Sequence, residues 1–586
     1  MNRSILALLA FILPFQFSLA QSTDWRTYYE KSNYLRTPRY AETIDLCKRL
    51  DKTSPFVKYT SFGTSPQGRA LPLLIVSKDR AFTPAEAKRT GKPVILIQSC
   101  IHPGESDGKD ATLMLVRDIV ITGAKRDLLD DAVMLFIPIF SVDGHERFGP
   151  FNRINQNGPE EMGWRVTAQN LNLNRDYMKA EAPEMQTWLR LFHQWLPDFF
   201  IDCHVTDGID FQYDVTYAME PWPNADRELS SWYETRYIPT LLRDVEAAGH
   251  GIAPYVIPRE DHDLSQGLIL GASGPRLSTG YCAKQNRPAL LVETHMLKPY
   301  KTRVASTYAI LESSIRFVGA HRDELRPLLR RIDERTASLS SRPEPTWIPL
   351  RFELTRESRL VPFKGVVTTR VQSELSGREW LRYSPQPQDT VIPYFDSFRV
   401  TDSASVPVAY VVPSEWSQFI ERTKLHGIHA RTLTRDTTAI VEWYQLSEPR
   451  WQERPNEGRH PVRFKSELRK ERLTIPAGAF IVPMNQRTAQ VIMHLLEPNA
   501  PDSYVGWGYL DAVFEQKEYA EAYVLEQMAR DMMAKDPALK AEFETKVASD
   551  TTFAKNSYAR LNFFYQRSPY WDKSIGRYPI VRMVRK

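Results

Sequence analysis

At 586 residues the chain is long enough for roughly two to four domains. Its 42% hydrophobic and 25% charged residues are the proportions of a soluble globular protein, not of a disordered or membrane-embedded one. The net charge of +5 comes from dispersed basic residues with no basic tract among aromatics, which excludes nucleic acid as an expected partner.

Residues 1–20 read as a secretory signal. Arg3 gives the charged start, residues 5–13 a short apolar core, and Ser18 and Ala20 the small residues before a cleavage point at Gln21. The apolar run is too short for a spanning helix, and no later stretch reaches that length. The expected location is therefore secreted or periplasmic, in a bacterial envelope. Export permits disulfides among Cys47, Cys100, Cys203 and Cys282, in three conceivable pairings. Cys100 and Cys203 each end an apolar run, so burial as small hydrophobes is the preferred reading over zinc ligation, which lacks a Cys-x-x-Cys spacing here.

In chain order, residues 24–60 read as a helical lead-in and a first strand, and residues 60–69 as a Gly-, Ser- and Pro-rich turn. Strands follow at 71–76, 93–99, 132–139, 198–202 and 289–292, with helices at 111–121, 181–195 and 232–247 and a long helix or helix pair at 303–340. Continuous apolar runs alternating with helices predict an α/β fold: a three-layer α/β/α domain around a mixed, mostly parallel sheet. Ligands collect beyond the carboxyl ends of strands in such folds. His102, His204 and Glu293 each stand just past such an end.

Those positions carry a specific chemistry. A hydrolytic zinc site takes three protein ligands and keeps one place for water. His102 and Glu105, three residues apart, supply two ligands, and His204 is the best third among the 12 histidines. Glu293 then suits a general base, since an unpaired carboxylate after an apolar strand is otherwise costly. Arg153, Arg165 and Arg175, within a long polar stretch, offer an oxyanion donor and a fork for a carboxylate. Each residue also has a plainer reading. His102 and Glu105 would make a helix entry, His204 a buried structural histidine, and Arg175 a partner for Asp176 or Glu181. The ordered set outweighs these.

The set resembles the M14 family of zinc metallocarboxypeptidases over residues 25–335. His102-Pro103-Gly104-Glu105 looks like that family's His-x-x-Glu ligand pair, His204 like its third ligand and Glu293 like its general base. Gly163-Trp164-Arg165 resembles the segment bearing its oxyanion arginine, and Asn174-Arg175 the pair that grips a substrate's C-terminal carboxylate. The resemblance implies an eight-stranded mixed sheet, one Zn2+ per chain, and a peptide substrate with a free C-terminal carboxylate. It departs in three places. Asn172 stands where the family has an aspartate behind a zinc-bound histidine. No tyrosine precedes Gly271-Ala272-Ser273-Gly274, leaving Tyr281 as a loose substitute for the family's mobile tyrosine. Arg276 falls where the side-chain pocket is built and would favour an acidic residue there, or is a solvated arginine.

The resulting division is a signal at 1–20, a catalytic domain at 21–340, a linker and β-rich segment at 341–405, and a C-terminal α/β module at 406–586. Within that module residues 512–548 read as helical, and the aromatic run at 562–571 as packed. His145, His295 and Tyr255 read as structural, and residues 259–262 as a charged loop. Nothing in the sequence signals an oligomeric state. Two other functions fit the address: a carboxypeptidase or amidase acting on cell-wall muropeptides, and a non-catalytic peptide- or glycan-binding protein, for which Glu293 would have no use.

Overall fold

The apolar runs converge in one eight-stranded mixed sheet in the computed structural model, which describes residues 24–260 and 263–585. The signal-peptide reading of 1–20, and part of the loop at 259–262, lie outside the described residues. The strands are β1 (Val57–Thr64), β2 (Ala70–Val76), β3 (Val94–Ser99), β4 (Val133–Ile137), β5 (Phe199–Val205), β6 (Val215–Ala218), β7 (Ile252–Pro254) and β8 (Ala289–Thr294). Their spatial order is β1-β2-β4-β3-β5-β8-β6-β7. The central contacts β4–β3, β3–β5 and β5–β8 are parallel. The expected turn at 60–69 shrinks to residues 65–69, because β1 runs on to Thr64 and pairs with β2.

Side chains alternate between the two faces of the sheet, as strand geometry requires. On β3, Ile95 and Ile97 point into one apolar cluster and Val94 and Leu96 into another. The first cluster is covered by the helices Asp107–Arg117, Ile238–Ala247 and Tyr300–Ala320, the last followed by Arg322–Ser338 as the second member of the expected pair. The second cluster is covered by Pro183–Trp195 and Ser278–Lys284. The three-layer architecture is therefore as the sequence implied.

Residues on either side of 340 and 405 share a sheet and an apolar cluster. The long hairpin Arg359–Gln372 and Glu379–Phe395 joins Leu268–Ile269 of the catalytic region, which pairs with Ile257–Pro258, in one sheet. The apolar cluster that holds Leu96 and Trp188 also holds Phe419, Ile492 and Tyr504. Local pattern marks the start of the 341–405 segment as a linker but carries no information about shared burial. Beyond it, a six-stranded antiparallel sheet is built on Ala409–Val412, Phe480–Pro483 and the hairpin Thr437–Trp451/Val462–Ile475. Helices Ala522–Lys535, Pro537–Ser549 and Ser557–Tyr565 form a small separate bundle, in which Phe563 and Phe564 of the aromatic run are buried. All four cysteines are buried and free. Among the described residues no helix is long and apolar enough to cross a membrane.

Candidate active site

The site begins where β3 ends. Cys100 adopts a left-handed conformation with φ of 55°, and the chain turns through His102 and Glu105 into the helix Asp107–Arg117. Gly108 lies in the first turn of that helix. A Cβ there would stand 2.3 Å from the Cys203 Cβ, so only glycine lets the helix approach β5 this closely. The approach carries Glu105 to His204, at the end of β5.

The three residues then share one point. Nδ1 of His102 lies 3.1 Å from both Glu105 oxygens, and Nδ1 of His204 lies 3.0 Å from Oε2. Their ligand atoms fall within 4.8 Å of one another, and all three residues are buried. The outer ring nitrogens are held too. His102 Nε2 donates to Asn172 Oδ1 at 3.1 Å, and His204 Nε2 to Asp202 Oδ2 at 2.8 Å. Asp202 and His204 are two apart on one strand and so share a face. Since Asn172 and Asp202 offer oxygen acceptors to the outer nitrogens, a metal ion at the centre would meet the Nδ1 lone pairs beside a carboxylate, as a zinc donor set requires. Asn172 thus holds its histidine through an amide oxygen.

The electrostatics favour a cation there. Burial disfavours charge on Glu105, yet His102, Arg153 and His204 hold its pKa well below the usual carboxylate range. Burial also opposes charge on His204, but Asp202, Glu105 and Glu293 raise its pKa well above that of free histidine. The carboxylates demand positive charge at their centre. Arg153 sits 2.9 Å from Glu105 Oε1 with a side chain only 10% exposed, whereas Arg165 is 3.3 Å away and 38% exposed.

Glu293 lies on β8 directly opposite His204 in the parallel register. It is buried, and burial pushes its pKa up, assisted by Glu105 and Asp207 and opposed by His204. Beside it is Tyr255, whose hydroxyl is made harder to ionise first by Glu293 and then by burial. Tyr281 is elsewhere. It is fully buried, its hydroxyl bonded to His426 and Gln285, within the aromatic packing around Trp188. The sequence offered Tyr281 by proximity to the glycine turn; the fold instead brings Tyr255 to the glutamate from the segment after β7.

Arg175 donates to the Asn174 carbonyl at 2.8 Å and has no ion-pair partner among the described residues. Asp176 is taken by Lys179, and Glu181 by Lys179 and Arg459. Burial first, then Arg165 and Arg276, make the positive charge of Arg175 harder to hold, against Glu457. Asn174 Oδ1 accepts the Ser278 N–H at 3.0 Å. Arg276 belongs to the wall of this region, but its charge is already met by Asp502 at 2.7 Å, and its guanidinium lies over Trp507. His145 contacts Lys109 and Glu146, and His295 contacts Asp210, both away from the ligand cluster.

One participant had no local signal. Glu457, in the loop of the C-terminal hairpin, accepts the backbone N–H of Asn172 at 2.9 Å across 285 residues of sequence. The C-terminal region thereby buttresses the residue that holds a candidate metal ligand.

Comparison with known proteins agrees with this geometry. Residues 43–237 match the family model described as zinc carboxypeptidase. The chain is 22% identical over 499 residues to carboxypeptidase 2 of Trichophyton tonsurans, covering 81% of this chain and 84% of that protein. Carboxypeptidase 2 of Trichophyton rubrum matches with the same identity and coverage. Among solved structures, carboxypeptidase A of Helicoverpa armigera aligns at 17% identity with a TM-score of 0.37, over 49% of this chain and 73% of that one. A metallo-carboxypeptidase of Burkholderia cenocepacia aligns at 17% identity with a TM-score of 0.35, over 48% and 69%. The family match spans His102, Glu105 and His204 and the strands that carry them, so it is over residues 43–237, the part of the chain that builds the candidate metal cluster, that the chain is similar to the zinc carboxypeptidases.

Proposed function

We propose that the domain removes the C-terminal residue of peptides, with His102, Glu105 and His204 holding one zinc ion and Glu293 acting as general base. The observation that carries this reading is the guanidinium of Arg175. It is half-buried, lacks a carboxylate partner among the described residues, and lies in the same cationic region as Arg165. A substrate's terminal carboxylate completes it in two-point geometry. Asn174, its amide oxygen engaged by Ser278, keeps its Nδ2 to donate to the same carboxylate.

Bound zinc supplies a Lewis acid that polarises the scissile carbonyl and acidifies water. Glu293 takes a proton from the attacking water and returns it to the leaving amine. Its raised affinity for protons, due first to burial, suits that exchange, and a zinc ion held by His102, Glu105 and His204 would moderate it. Arg165 reaches toward the developing oxyanion. It is preferred over Arg153, which is buried against Glu105 and less free to move. Tyr255 closes the side of the site next to Glu293. The secretory reading of residues 1–20 puts the reaction outside the cytoplasm, in a secreted or periplasmic protein.

The test is Glu293→Gln, assayed for C-terminal amino-acid release together with elemental analysis. Turnover should fall about 10²- to 10⁴-fold with zinc still bound. Undiminished turnover would end the assignment of Glu293.

A further inference from the structure

A second feature of the C-terminal region has no part in the reaction above. Beside the catalytic region lies a cleft of about 1070 Å³, a volume in the range that holds ligands. Arg276, Arg351, Arg450 and Arg463 line it, against a single acidic lining residue, Asp402. Trp451, 42% exposed, and Phe464 contribute aromatic surface.

The register of the hairpin makes this concentration of charge unusual. Arg450 stands directly opposite Arg463 across Thr437–Trp451/Val462–Ile475. Like charges opposite each other destabilise a strand pair. Elsewhere the same hairpin sets Glu442 against Lys470. Among the described residues no carboxylate lies within ion-pair distance of Arg450, Arg463 or Arg351; the last is held only by the Asn499 carbonyl at 3.1 Å. A carboxylate entering the cleft meets guanidinium forks from both strands and relieves their repulsion.

The cleft also adjoins the catalytic region. Asn456 lines it, while the next residue, Glu457, accepts the N–H of Asn172. Arg276 lines it as well, and its charge is felt at Arg175. Amides of Gln452, Asn456 and Asn499 line the same wall and suit an extended peptide backbone. We propose that this cleft is a second binding site, for an acidic segment of the polypeptide substrate. The binding stands on the cleft alone; its link to substrate rests on the carboxypeptidase reading.

The experiment uses the full chain and an N-acetylated, C-amidated oligoglutamate, which has no terminal carboxylate for Arg175. Calorimetry should show binding that weakens as salt rises. Arg450→Glu sets opposite charges across the hairpin, so its Tm should not fall, yet binding should weaken about tenfold or more. Arg463→Gln should weaken it in the same sense. In the same variants KM should rise about tenfold for peptides with an upstream glutamate run and stay unchanged for a short neutral peptide. Failure of the wild-type chain to bind, equal binding by both variants, equal binding of oligolysine, or binding of a sulfated polysaccharide but not of oligoglutamate would each overturn the site. Binding with no KM effect would overturn its assignment to substrate. Since calorimetry needs no turnover, an inactive Glu293 assay would leave the cleft's test intact.

Discussion

Asp202, through its charge, is expected to set how strongly His204 would hold a metal ion. It is completely buried, its Oδ2 accepting from His204 Nε2 at 2.8 Å and its Oδ1 accepting from Gln98 Nε2 at 2.9 Å. Asp202→Asn keeps the shape and removes the charge. The amide oxygen can still accept from His204, and the new amide N–H₂ then faces Gln98. A flip of Gln98 presents its unpartnered Oε1 as the acceptor for the new amide and for the Tyr177 hydroxyl, at the cost of leaving the Gln98 N–H₂ without an acceptor, so the Tm of the metal-free variant is measured as the baseline. The substitution keeps the volume of the side chain, and its effect on charge is read from the zinc-dependent difference within each protein. Loss of such a supporting partner lowers metal affinity about 10- to 100-fold, or about 1.4 to 2.7 kcal/mol. At free zinc about a hundredfold above the wild-type Kd, zinc stabilises the wild type by about 2.7 kcal/mol. The variant would keep about 1.4 kcal/mol for a tenfold loss, and about 0.4 for a hundredfold loss. Chelator competition gives Kd directly, and the zinc-induced rise in Tm should fall to half or less. An unchanged Kd with an unchanged Tm rise would refute the idea that the charge of Asp202 sets the basicity of His204.

Three further outcomes follow from other parts of the molecule. Arg175→Gln removes a charge-assisted contact worth about 1.5 to 3 kcal/mol, so KM for peptides with a free C-terminus should rise about ten- to a hundredfold, and an unaltered KM would remove Arg175 from the substrate site. Glu184 is wholly buried, neither oxygen having a partner from another residue, and burial, then Asp143 and Asp176, raise its pKa to about 7. A carboxyl with a raised folded pKa costs nothing below about 4.5 and weighs increasingly on the fold as pH climbs through about 7. Glu184→Gln should therefore raise Tm at pH 8, by at most about 3 kcal/mol of stability, and leave it nearly unchanged at pH 4; equal differences at both pH values would contradict this. Because all four cysteines are free and buried, reductant should leave Tm unchanged and thiol reagents should react only after unfolding; a drop in Tm on reduction would reveal a disulfide.

The sequence by itself determined the parts that depend on local order. Apolar runs named the central strands, and their ends placed His102, Glu105, His204 and Glu293 on one edge of a parallel core, because parallel strands all finish on the same side. His102 and Glu105 were legible as a pair because three residues of one turn separate them. Tertiary structure decided what depends on distant packing. It brought Tyr255 rather than Tyr281 to Glu293, because Tyr281 faces into the layer around Trp188. It met the charge of Arg276 with Asp502, 226 residues away. It delivered Glu457 to Asn172 and gave residues beyond 405 a share of the apolar cluster that holds Leu96 and Trp188. Periodicity records which face of an element is buried. It does not record against what, and both the cationic cleft and the support behind the metal ligands are answers to that second question.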